Sequence, residues 1–405
     1  MPSLESARKV RGRVIVDIFY IVFAAVVFFA LISLLVFVHE LGHYSVGRFF
    51  GMKVERFSIG FGRPVWQRKA ASGTQWVVAR WPLGGYVKFA GDAGAASNPD
   101  ADALDRIRDE EGEVADIFHF RPVWQRALVV LAGPIANFIL AAILFGAAVL
   151  WVGTRHPEAL IGEVDPDSPA AAAGILPGDK VVQMDGRSID DWVSMAQHIQ
   201  LRGDTPIETV VLRNGEEVAL TVTPQMIEDE DFIGGRMTRG QFGVRLSPDA
   251  AFETRRYNPV SALGFGTEQV GNTLAATGRY IGRIFSGKED GKQLGSILRI
   301  GAMTGKATVD VAKSEIPLGE RLRNLTLVLL NLGAGISVAL GFANLLPIPM
   351  LDGGHLVFYG YEAVAGKPLS QKKQEIGFRF GMAVLLGLFV VLTINDIGYI
   401  GSLLS

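Results

Sequence analysis

The chain has 405 residues, of which 49% are hydrophobic and 20% are charged, and its mean hydropathy is +0.29. That hydropathy is too high for an ordinary soluble protein, whereas the charged fraction leaves room for a water-exposed portion. A formal net charge of −2 gives no basic signature for nucleic acid, so no nucleic-acid partner is expected. Because cysteine is absent, disulfides and thiolate metal ligands are excluded, and any metal must be held by His, Asp or Glu.

Four apolar segments are long enough to span a bilayer as helices, at 18–46, 127–152, 325–346 and 380–403. The first is uncharged from Ile18 to Val38, which is too long for the apolar part of a signal peptide, and no cleavage site follows it. Basic residues crowd the connections between spans one and two and between spans three and four. They predict that both connections are cytoplasmic and that segment 153–324 and both termini lie outside. Four N-terminal basic residues favour the opposite orientation: Arg8, Lys9, Arg11 and Arg13.

The first apolar span ends in an HExxH pattern, His39-Glu40-Leu41-Gly42-His43. On a helix the two imidazoles lie one turn apart on one face, where both can bind one Zn²⁺. Glu40 can then deprotonate the water that the zinc activates. The alternative is a chance pattern on a helix surface. The position at the end of an apolar span, with a second broken span offering an acid at matching depth, favours the metal site.

A zinc ion held by two histidines needs a third protein ligand, and Asp352 in the stretch NLLPIPMLDGGH is the candidate that we expect. A carboxylate at membrane depth is costly unless it is paired or binds a metal. Prolines and glycines interrupt the helix here and free backbone groups. His355 is the alternative ligand, although a position behind the ligands or facing solvent suits it better.

Two asparagines lie inside predicted spans, Asn137 in the second and Asn344 in the third. The usual role of such an amide is a hydrogen bond to a neighbouring helix. A functional alternative for Asn344 is to hold the substrate backbone or to steady a tetrahedral intermediate. Asn137 is a weaker candidate for substrate contact.

Residues 53–90 predict β-hairpins that are apolar enough to touch a membrane, with Gly60, Phe61 and Gly62 in the first run. A sheet edge beside a peptidase site can pair with an unwound substrate as an added strand. The alternative is a cytoplasmic cap without a substrate role. Residues 91–117 predict a solvated loop.

Segment 158–226 predicts a small α+β domain. Ser168 caps a short helix that Gly174 ends, and Asn214-Gly215 predicts a type I′ hairpin turn. The stretch SPAAAAGILPGDKVVQMDG resembles a bacterial PDZ domain, a module that binds extended peptides by strand addition. Ile161 and Gly162 would border its groove; the alternative is a spacer that excludes large substrates without binding a peptide. Residues 259–286 predict an amphipathic helix that lies on the membrane or packs on the spans.

HELGH in the first span, GPIANF in the second and NLLPIPMLDGGH after the third resemble the site-2 proteases, specifically the bacterial regulator-of-sigma-E protease type. The resemblance covers nearly the whole chain, including FSIGFG and WPLGGYVKF. It implies an α-helical polytopic membrane protein with four transmembrane helices, a membrane-associated β region and an inserted α+β PDZ-like domain. The expected segments, in chain order, are the first span with HExxH (1–52), the β region and loop (53–122) and the second span (123–153). The PDZ-like domain (154–250) follows, then an amphipathic helix and linker (251–320). The third span with the LDG motif (321–358) and a loop with the fourth span (359–405) complete the chain.

The resemblance also implies an inner-membrane zinc endopeptidase with one zinc per chain, a periplasmic PDZ-like domain and an active site towards the cytoplasm. His39, His43 and Asp352 would bind zinc, Glu40 would be the general base, and Asn344 would handle substrate. The implied partners are single-span membrane proteins already cut by an upstream site-1 protease, such as anti-sigma factors and, in some members, leftover signal peptides. The best-known members carry two tandem PDZ domains, but one is evident here, which weakens the case for size-exclusion gating.

Two other functions fit parts of the sequence. The first is a non-catalytic membrane scaffold with a structural zinc and a peptide-binding PDZ domain; structural zinc sites normally use four protein ligands, and three are apparent here. The second is a transporter with a broken third helix, but repeat symmetry and a second broken span are missing.

Overall fold

The computed structural model describes residues 4–92, 94, 104, 106, 116–200, 202–230, 236–287 and 297–404. The chain divides into two units, one formed by 1–148, 263–275 and 292–405 and the other by 149–262 and 276–291. The elements in chain order are α1 (Leu4–Phe49), β1 (Val54–Lys69), β2 (Gln75–Phe89), α2 (Val123–Val152), β3 (Thr154–Pro157), β4 (Ile161–Val164), α3 (Pro169–Ala172), β5 (Lys180–Met184), β6 (Arg187–Ser188), α4 (Trp192–Gln200), β7 (Ile207–Arg213), β8 (Glu216–Val222), β9 (Gln225–Glu230), β10 (Arg236–Gln241), β11 (Val244–Leu246), β12 (Phe252–Arg255), α5 (Pro259–Phe285), α6 (Ile297–Lys313), α7 (Leu318–Asn344), α8 (Asp352–Ala365) and α9 (Gln371–Leu404).

In the described part of the chain, four helices are long and apolar enough to cross a membrane: Val22–Phe49, Val123–Val152, Leu318–Asn344 and Lys372–Ile397. These segments lie in α1, α2, α7 and α9 and overlap the four predicted spans. Helix α1 has 46 residues, and at 1.5 Å per residue it measures about 69 Å, far more than a bilayer core of about 30 Å. The HExxH pattern therefore lies close to one end of a helix that is longer than its apolar part.

Strands β1 and β2 form a folded ribbon rather than a simple hairpin. Phe57 in the first half of β1 pairs with both Trp76 and Val87, so this half lies between the two halves of β2. The second half of β1 pairs antiparallel with residues 75–79. Gly60 and Gly62 have φ values of 83° and 96° and allow the bend between the halves, since side chains disfavour positive φ. Residues 85–89 of β2 consequently form an edge that pairs with β1 on one side.

A buried cluster joins this ribbon to the helices of the first unit. Its members are large apolar side chains from β1, β2, α2, α8 and the connecting segments: Met52, Val54, Phe57, Val87, Phe89, Phe118, Val129, Val130 and Tyr359. Partly buried side chains of α1, such as Phe37 and Leu41, pack against the cluster. Burial of this apolar area fixes the 85–89 edge beside the HExxH helix.

Helix α5 matches the predicted amphipathic helix 259–286. Within the first unit, Val270 and Leu274 of α5 pack against Ala142 of α2 and Val338 of α7. This part of α5 therefore packs on the candidate spans, as one of the two predicted alternatives required.

Helix α6 lies in a stretch that is predicted above to be a linker. Glycines and threonines reduce the helix propensity of ILRIGAMTGKATVDVAK, which explains the omission. The helix contacts α1, α7 and α9. The Nε atom of Arg299 in α6 lies 2.8 Å from the Oδ1 atom of Asp396 in α9, and the Asp396 side chain is fully buried. Tertiary pairing thus stabilises α6 where local propensity does not.

The second unit contains a four-stranded sheet of order β6-β5-β7-β8. Ser168 Oγ accepts a hydrogen bond from the Ala171 N–H and caps α3, and Asn214 and Gly215 both have positive φ values, as the predicted cap and type I′ turn require. The β9–β10 hairpin was not predicted. Strand β12 pairs with β3, so this inserted module (residues 154–255) extends past the predicted boundary at 250.

A buried carboxylate stabilises the sheet of the inserted module. Asp179 accepts hydrogen bonds from the Leu176 N–H at 2.9 Å and from Nε and Nη2 of Arg213 at 2.8 Å each. Burial acts to raise the pKa of Asp179, but these hydrogen bonds outweigh it and hold the pKa below its usual value. The ionised carboxylate is therefore favoured by folding.

We expect acid to weaken the inserted module through Asp179. A lowered pKa contributes stability that is present above the unfolded-state pKa of about 4 and is lost as the pH falls through the folded-state pKa. At pH 7 the D179N substitution should lower the free energy of unfolding by about 1–3 kcal/mol, because Arg213 loses its charged partner. Hydrogen exchange of residues 180–213 in the full-length protein, corrected for intrinsic rates, measures both effects. The control D190N alters a side chain that is 63% exposed and should change little; equal protection of D179N and wild type would contradict the expectation.

Candidate metal centre and active site

Three potential metal ligands converge at the end of α1. His39 Nε2 lies 3.2 Å and His43 Nε2 lies 3.6 Å from the Oδ2 atom of Asp352, and the two Nε2 atoms are 3.1 Å apart. Among the described residues these are the His, Cys, Asp or Glu side chains whose ligand atoms cluster this closely. His355 is not a member of the cluster, so the geometry selects Asp352 as the third ligand.

The three ligand atoms fit a zinc ion. Bonds of about 2.0–2.1 Å at tetrahedral angles separate neighbouring ligand atoms by roughly 3.3 Å, close to the observed spacings. Asp352 Oδ2 is buried and accepts no hydrogen bond from the described residues, although an orphaned buried carboxylate oxygen is costly. A cation held between the three side chains would remove that cost.

Two glycines allow α1 and α2 to approach closely at the ligands. A Cβ atom on Gly42 would overlap the backbone carbonyl of Ala132. A Cβ atom on Gly133 would overlap Nε2 of His43 and lie 2.9 Å from Cε1 of His39. The glycines of HELGH and GPIANF therefore leave the space that the ligand set occupies.

Contacts from α2 fix the orientation of both imidazoles. His43 Nδ1 lies 2.8 Å from the Val129 carbonyl oxygen and must donate to it, which leaves the Nε2 lone pair for the metal. The Asn137 amide lies 3.1 Å from His39 Nδ1. A metal-binding Nε2 requires a proton on Nδ1, so the amide oxygen of Asn137, which otherwise has no described partner, should face this ring.

Glu40 lies between the metal ligands and the edge of β2. The Val87 N–H hydrogen-bonds to its carboxylate, and a Cβ atom on Gly85 would lie 3.2 Å from Glu40 Cγ. Val87 therefore directs its N–H towards the HExxH helix, and Gly85 packs on that helix without a side chain. Glu40 is thereby held beside the three ligands without being one of them.

The break between α7 and α8 places Asp352 at the site. Helix α7 ends at Asn344, irregular backbone follows, and Asp352 begins α8. Met350 has a φ of 96°, a strained conformation for a residue with a side chain. Gly353 and Gly354 pack directly on the carbonyl groups of the preceding irregular segment. Helix α8 also crosses the predicted domain boundary at 358, because its apolar face continues the core.

The cavity at this site has a volume of about 270 Å³. Its wall includes Glu40, both metal-ligating histidines, residues 84–87, Asn344, Asp352, His355 and Tyr359. Asn344 Nδ2 lies 3.4 Å from His39 Nε2, so this amide is at the metal site, whereas its role towards substrate stays a prediction. Asn137 is fully buried against His39, and a substrate contact by this residue also stays a prediction.

Gly60, Phe61 and Gly62 form the bend of β1 and do not line this cavity. Phe61 is 45% exposed and stacks on Tyr86, a cavity residue, at a ring-centre distance of 5.9 Å. Phe61 therefore contacts a residue of the cavity wall, and the predicted substrate contact of all three residues remains a prediction.

The groove of the inserted module differs from the one predicted. Ile161 is buried in the module core, and Gly162 packs on Ser247. A groove of about 280 Å³ lies instead between α4 and residues 240–244. The assignment of Ile161 and Gly162 to the groove is corrected accordingly, because β4 pairs with β11 and its side chains serve the core.

Three histidines away from the cavity have carboxylate partners. His119 pairs with the buried Asp92 at 2.7 Å, His156 with Asp191 at 2.7 Å and His198 with Asp185 at 2.9 Å. Asp92 also accepts a hydrogen bond from the Phe89 N–H at 2.8 Å, which stabilises the end of β2.

Comparison with known proteins decides the family. The family model for peptidase family M50 matches residues 27–388. The chain belongs to peptidase family M50.

Relatives from several bacteria align with nearly the whole chain. Metalloprotease MmpA of Caulobacter vibrioides is 43% identical over 90% of this chain and 93% of that protein. A protein of Mesorhizobium japonicum, provisionally named a zinc metalloprotease, is 39% identical over 91% of this chain and 97% of its own length. A structure of the HtrA3 PDZ domain bound to a phage-derived ligand matches 18% of this chain and 82% of that chain, with 22% identity and a TM-score of 0.16.

As an M50 peptidase, a site-2 protease, the chain is a zinc metalloprotease. Its HExxH and LDG residues meet in the structure as this activity requires. Because the chain belongs to this family, the metalloprotease replaces the two alternatives, the non-catalytic scaffold with a structural zinc and the transporter.

Removal of the Asn137 amide should weaken zinc binding without destroying the site. Loss of an outer contact that orients a metal-ligating histidine typically costs 10–100-fold in affinity, and we expect N137A to fall in that range. Zinc dissociation constants from competition with a chelator measure the effect. The control N331A removes an amide that bonds only the Leu327 carbonyl of its own helix among the described contacts. Equal zinc affinity of N137A and N331A would contradict the role of Asn137.

Addition of one methyl group at position 133 should abolish zinc binding. The G133A substitution places Cβ where the His43 and His39 rings lie, so the two Nε2 atoms can no longer converge with Asp352. Metal content of the purified protein, measured by mass spectrometry, checks this expectation. G335A in the candidate third span meets no atom within 4 Å and serves as the matched control. Full zinc occupancy in G133A would contradict the prediction, because α1 and α2 would then be able to move apart around the methyl group and keep the metal site.

Proposed function

We propose that this zinc metalloprotease cuts single-span membrane proteins within or beside the bilayer, after an upstream site-1 protease has trimmed them. One observation carries the proposal. His39, Glu40 and His43 lie inside the apolar segment Val22–Phe49, and Asn344 ends another such segment. A polar catalytic group at this depth is costly unless it serves a function, and these groups are arranged as a hydrolytic site.

The chain's own residues divide the reaction between them. Zinc, when bound by His39, His43 and Asp352, activates water and polarises the scissile carbonyl. Glu40 accepts the proton from the attacking water and returns it to the leaving amide nitrogen. The Val87 N–H holds the Glu40 carboxylate in place. Asn344, at the cavity wall, is suited to hold the substrate backbone. One zinc ion per chain would fill the ligand set that the described residues form.

The edge of β2 offers a place for an extended substrate. Residues 84–87 line the cavity, and β1 pairs with this stretch on its other side. A substrate helix must unwind before water can reach its peptide bonds, since its backbone groups are hydrogen-bonded internally. Pairing with the β2 edge would replace some of those hydrogen bonds. This contact explains why a β ribbon is packed beside a membrane helix.

The proposed location is a bacterial inner membrane crossed by the four apolar helices. Basic residues in the connections 53–122 and 366–379 favour a catalytic end on the cytoplasmic side and an inserted module in the periplasm, against the opposite signal of the N-terminal basic residues. The module would then act as a single PDZ-like domain. Its groove between α4 and residues 240–244 would either accept an extended peptide or restrict the size of approaching substrates. Anti-sigma-type proteins and remnant signal peptides are the proposed substrate classes.

Substitution of Glu40 should separate metal binding from catalysis. The E40Q variant keeps the shape of the side chain and all three zinc ligands but cannot accept a proton. We expect zinc content equal to wild type and a fall in kcat of about 10²–10⁴-fold. Purified proteins in detergent or liposomes, with a panel of single-span substrates trimmed on the outer side, provide the assay. H43F, which removes a ligand, should lose both zinc and cleavage.

The assay also tests where cleavage occurs. Cuts mapped by mass spectrometry to the apolar span of the substrate, or to its margins, support the proposal. Undiminished turnover by E40Q would remove Glu40 from the base role. Cleavage by wild type confined to soluble proteins would overturn the membrane-protein substrate class while leaving the metalloprotease intact.

A further inference from the structure

Helix α8 presents more than a metal ligand to the cavity. Asp352, His355 and Tyr359 occupy positions i, i+3 and i+7 and therefore share one face of the helix. All three side chains line the catalytic cavity. His355 is thus in the wall beside the metal centre, although it is not close enough to the ligand atoms to join them.

Three other polar side chains of the cavity already have hydrogen-bond partners. His43 Nδ1 bonds to the Val129 carbonyl, and Glu40 receives the Val87 N–H. The Tyr359 hydroxyl is hydrogen-bonded to Arg126. In the described part of the chain the His355 side chain has no hydrogen-bond partner; its ring packs on Phe358, Tyr359 and Phe378 at centre distances of 5.6–6.5 Å, and it interacts electrostatically with Asp352 and His43. Its imidazole hydrogen is free for a ligand in the cavity.

Helix α8, which carries His355, is anchored at both ends. At the start of α8, Gly353 and Gly354 pack on backbone carbonyl groups of residues 345–348. At its far end Glu362 forms a part-buried ion pair with Arg126, whose guanidinium also lies 4.9 Å from the centre of the Tyr359 ring. A donor fixed in this way needs no reorganisation when charge develops nearby.

We propose that His355 is a catalytic residue that donates a hydrogen bond to the oxygen of the scissile carbonyl. This inference rests on the proposed function. When the water oxygen bonds to the carbonyl carbon, the π electron pair moves to the carbonyl oxygen and Glu40 takes the water proton. His355 keeps its own proton and stabilises the negative oxygen. When the C–N bond breaks, the carbonyl re-forms, Glu40 delivers its proton to the amide nitrogen, and the charge beside His355 disappears.

Two variants separate hydrogen bonding from packing. H355F keeps an aromatic ring against Phe358 and Phe378 but has no donor, whereas H355Q keeps an N–H donor and loses the ring. For a fixed donor to an oxyanion we expect H355F to lower kcat about 10²–10³-fold with little change in KM. H355Q should retain at least tenfold more activity than H355F. Zinc content should equal wild type in both variants.

Binding of a tetrahedral analogue gives a readout that does not depend on turnover. A phosphinic peptide carries a negative oxygen in place of the scissile carbonyl, so its affinity reports binding of the tetrahedral intermediate. The affinity for the substrate peptide of the same sequence, measured in E40Q variants so that it is not cleaved, reports binding of the ground state. H355F should weaken phosphinic-peptide binding by the same factor as kcat and leave ground-state binding within about twofold. F378L, which alters only a ring neighbour, should behave as wild type.

The outcomes separate this inference from the proposed function. Selective loss of phosphinic-peptide affinity in H355F supports His355 as donor, even if wild type cuts none of the membrane substrates and the proposed function fails. Full affinity and kcat in H355F, or equal losses in H355F, H355Q and F378L, would overturn it and assign His355 to packing. Loss of zinc from both His355 variants would likewise overturn it, because the residue would then act on the metal site.

Discussion

The close crossing of α1 and α2 is the constraint on which the catalytic site depends. Gly42 packs on the Ala132 backbone and Gly133 lies under the two imidazole rings, so the helices meet where any side chain would push them apart. At that separation the Val129 carbonyl and the Asn137 amide reach the Nδ1 atoms of His43 and His39. One steric condition therefore sets both the position and the tautomer of two metal ligands. Asp352 completes the set from a different helix, and its reach depends on the same packed backbone.

Polar groups in an apolar setting explain much of the remaining structure. An unpaired polar group away from water costs several kcal/mol, so each one must find a partner. Ser337 donates to the Asn137 carbonyl, Arg126 pairs with Glu362, and Arg299 pairs with Asp396. These contacts join helices that are distant in sequence. The Arg126 pair fixes α8, and the Arg299 pair fixes the last apolar helix to α6. Catalytic geometry and helix assembly are thus maintained by the same kind of interaction.

The sequence predicted the parts of the site that follow from short spacing. Helical periodicity places His39 and His43 on one face, and the cost of burying a carboxylate singles out Asp352; the structure brings these three together. The role of Asn137 could not be predicted, because its partner is 98 residues away and depends on how two helices cross. Helix α6 was missed because tertiary contacts override its weak propensity. Ile161 was misplaced because strand pattern alone does not show which face of β4 enters the core.

The proposed reaction requires a substrate that is extended at the scissile bond, and the edge of β2 in the cavity wall could hold it in that conformation. In a helix each amide N–H and carbonyl is already bonded, so neither Glu40 nor His355 could engage the scissile bond of an intact turn. The Val87 N–H points to the side on which Glu40 lies, and an extended segment paired there would pass along this carboxylate. The absence of a side chain at Gly85 matters for this reason, since Cβ would enter the space between the strand, Val36 and Glu40. In the proposed mechanism the edge strand and the HExxH helix would therefore act as a single unit, in which the position of Glu40 couples unwinding to hydrolysis.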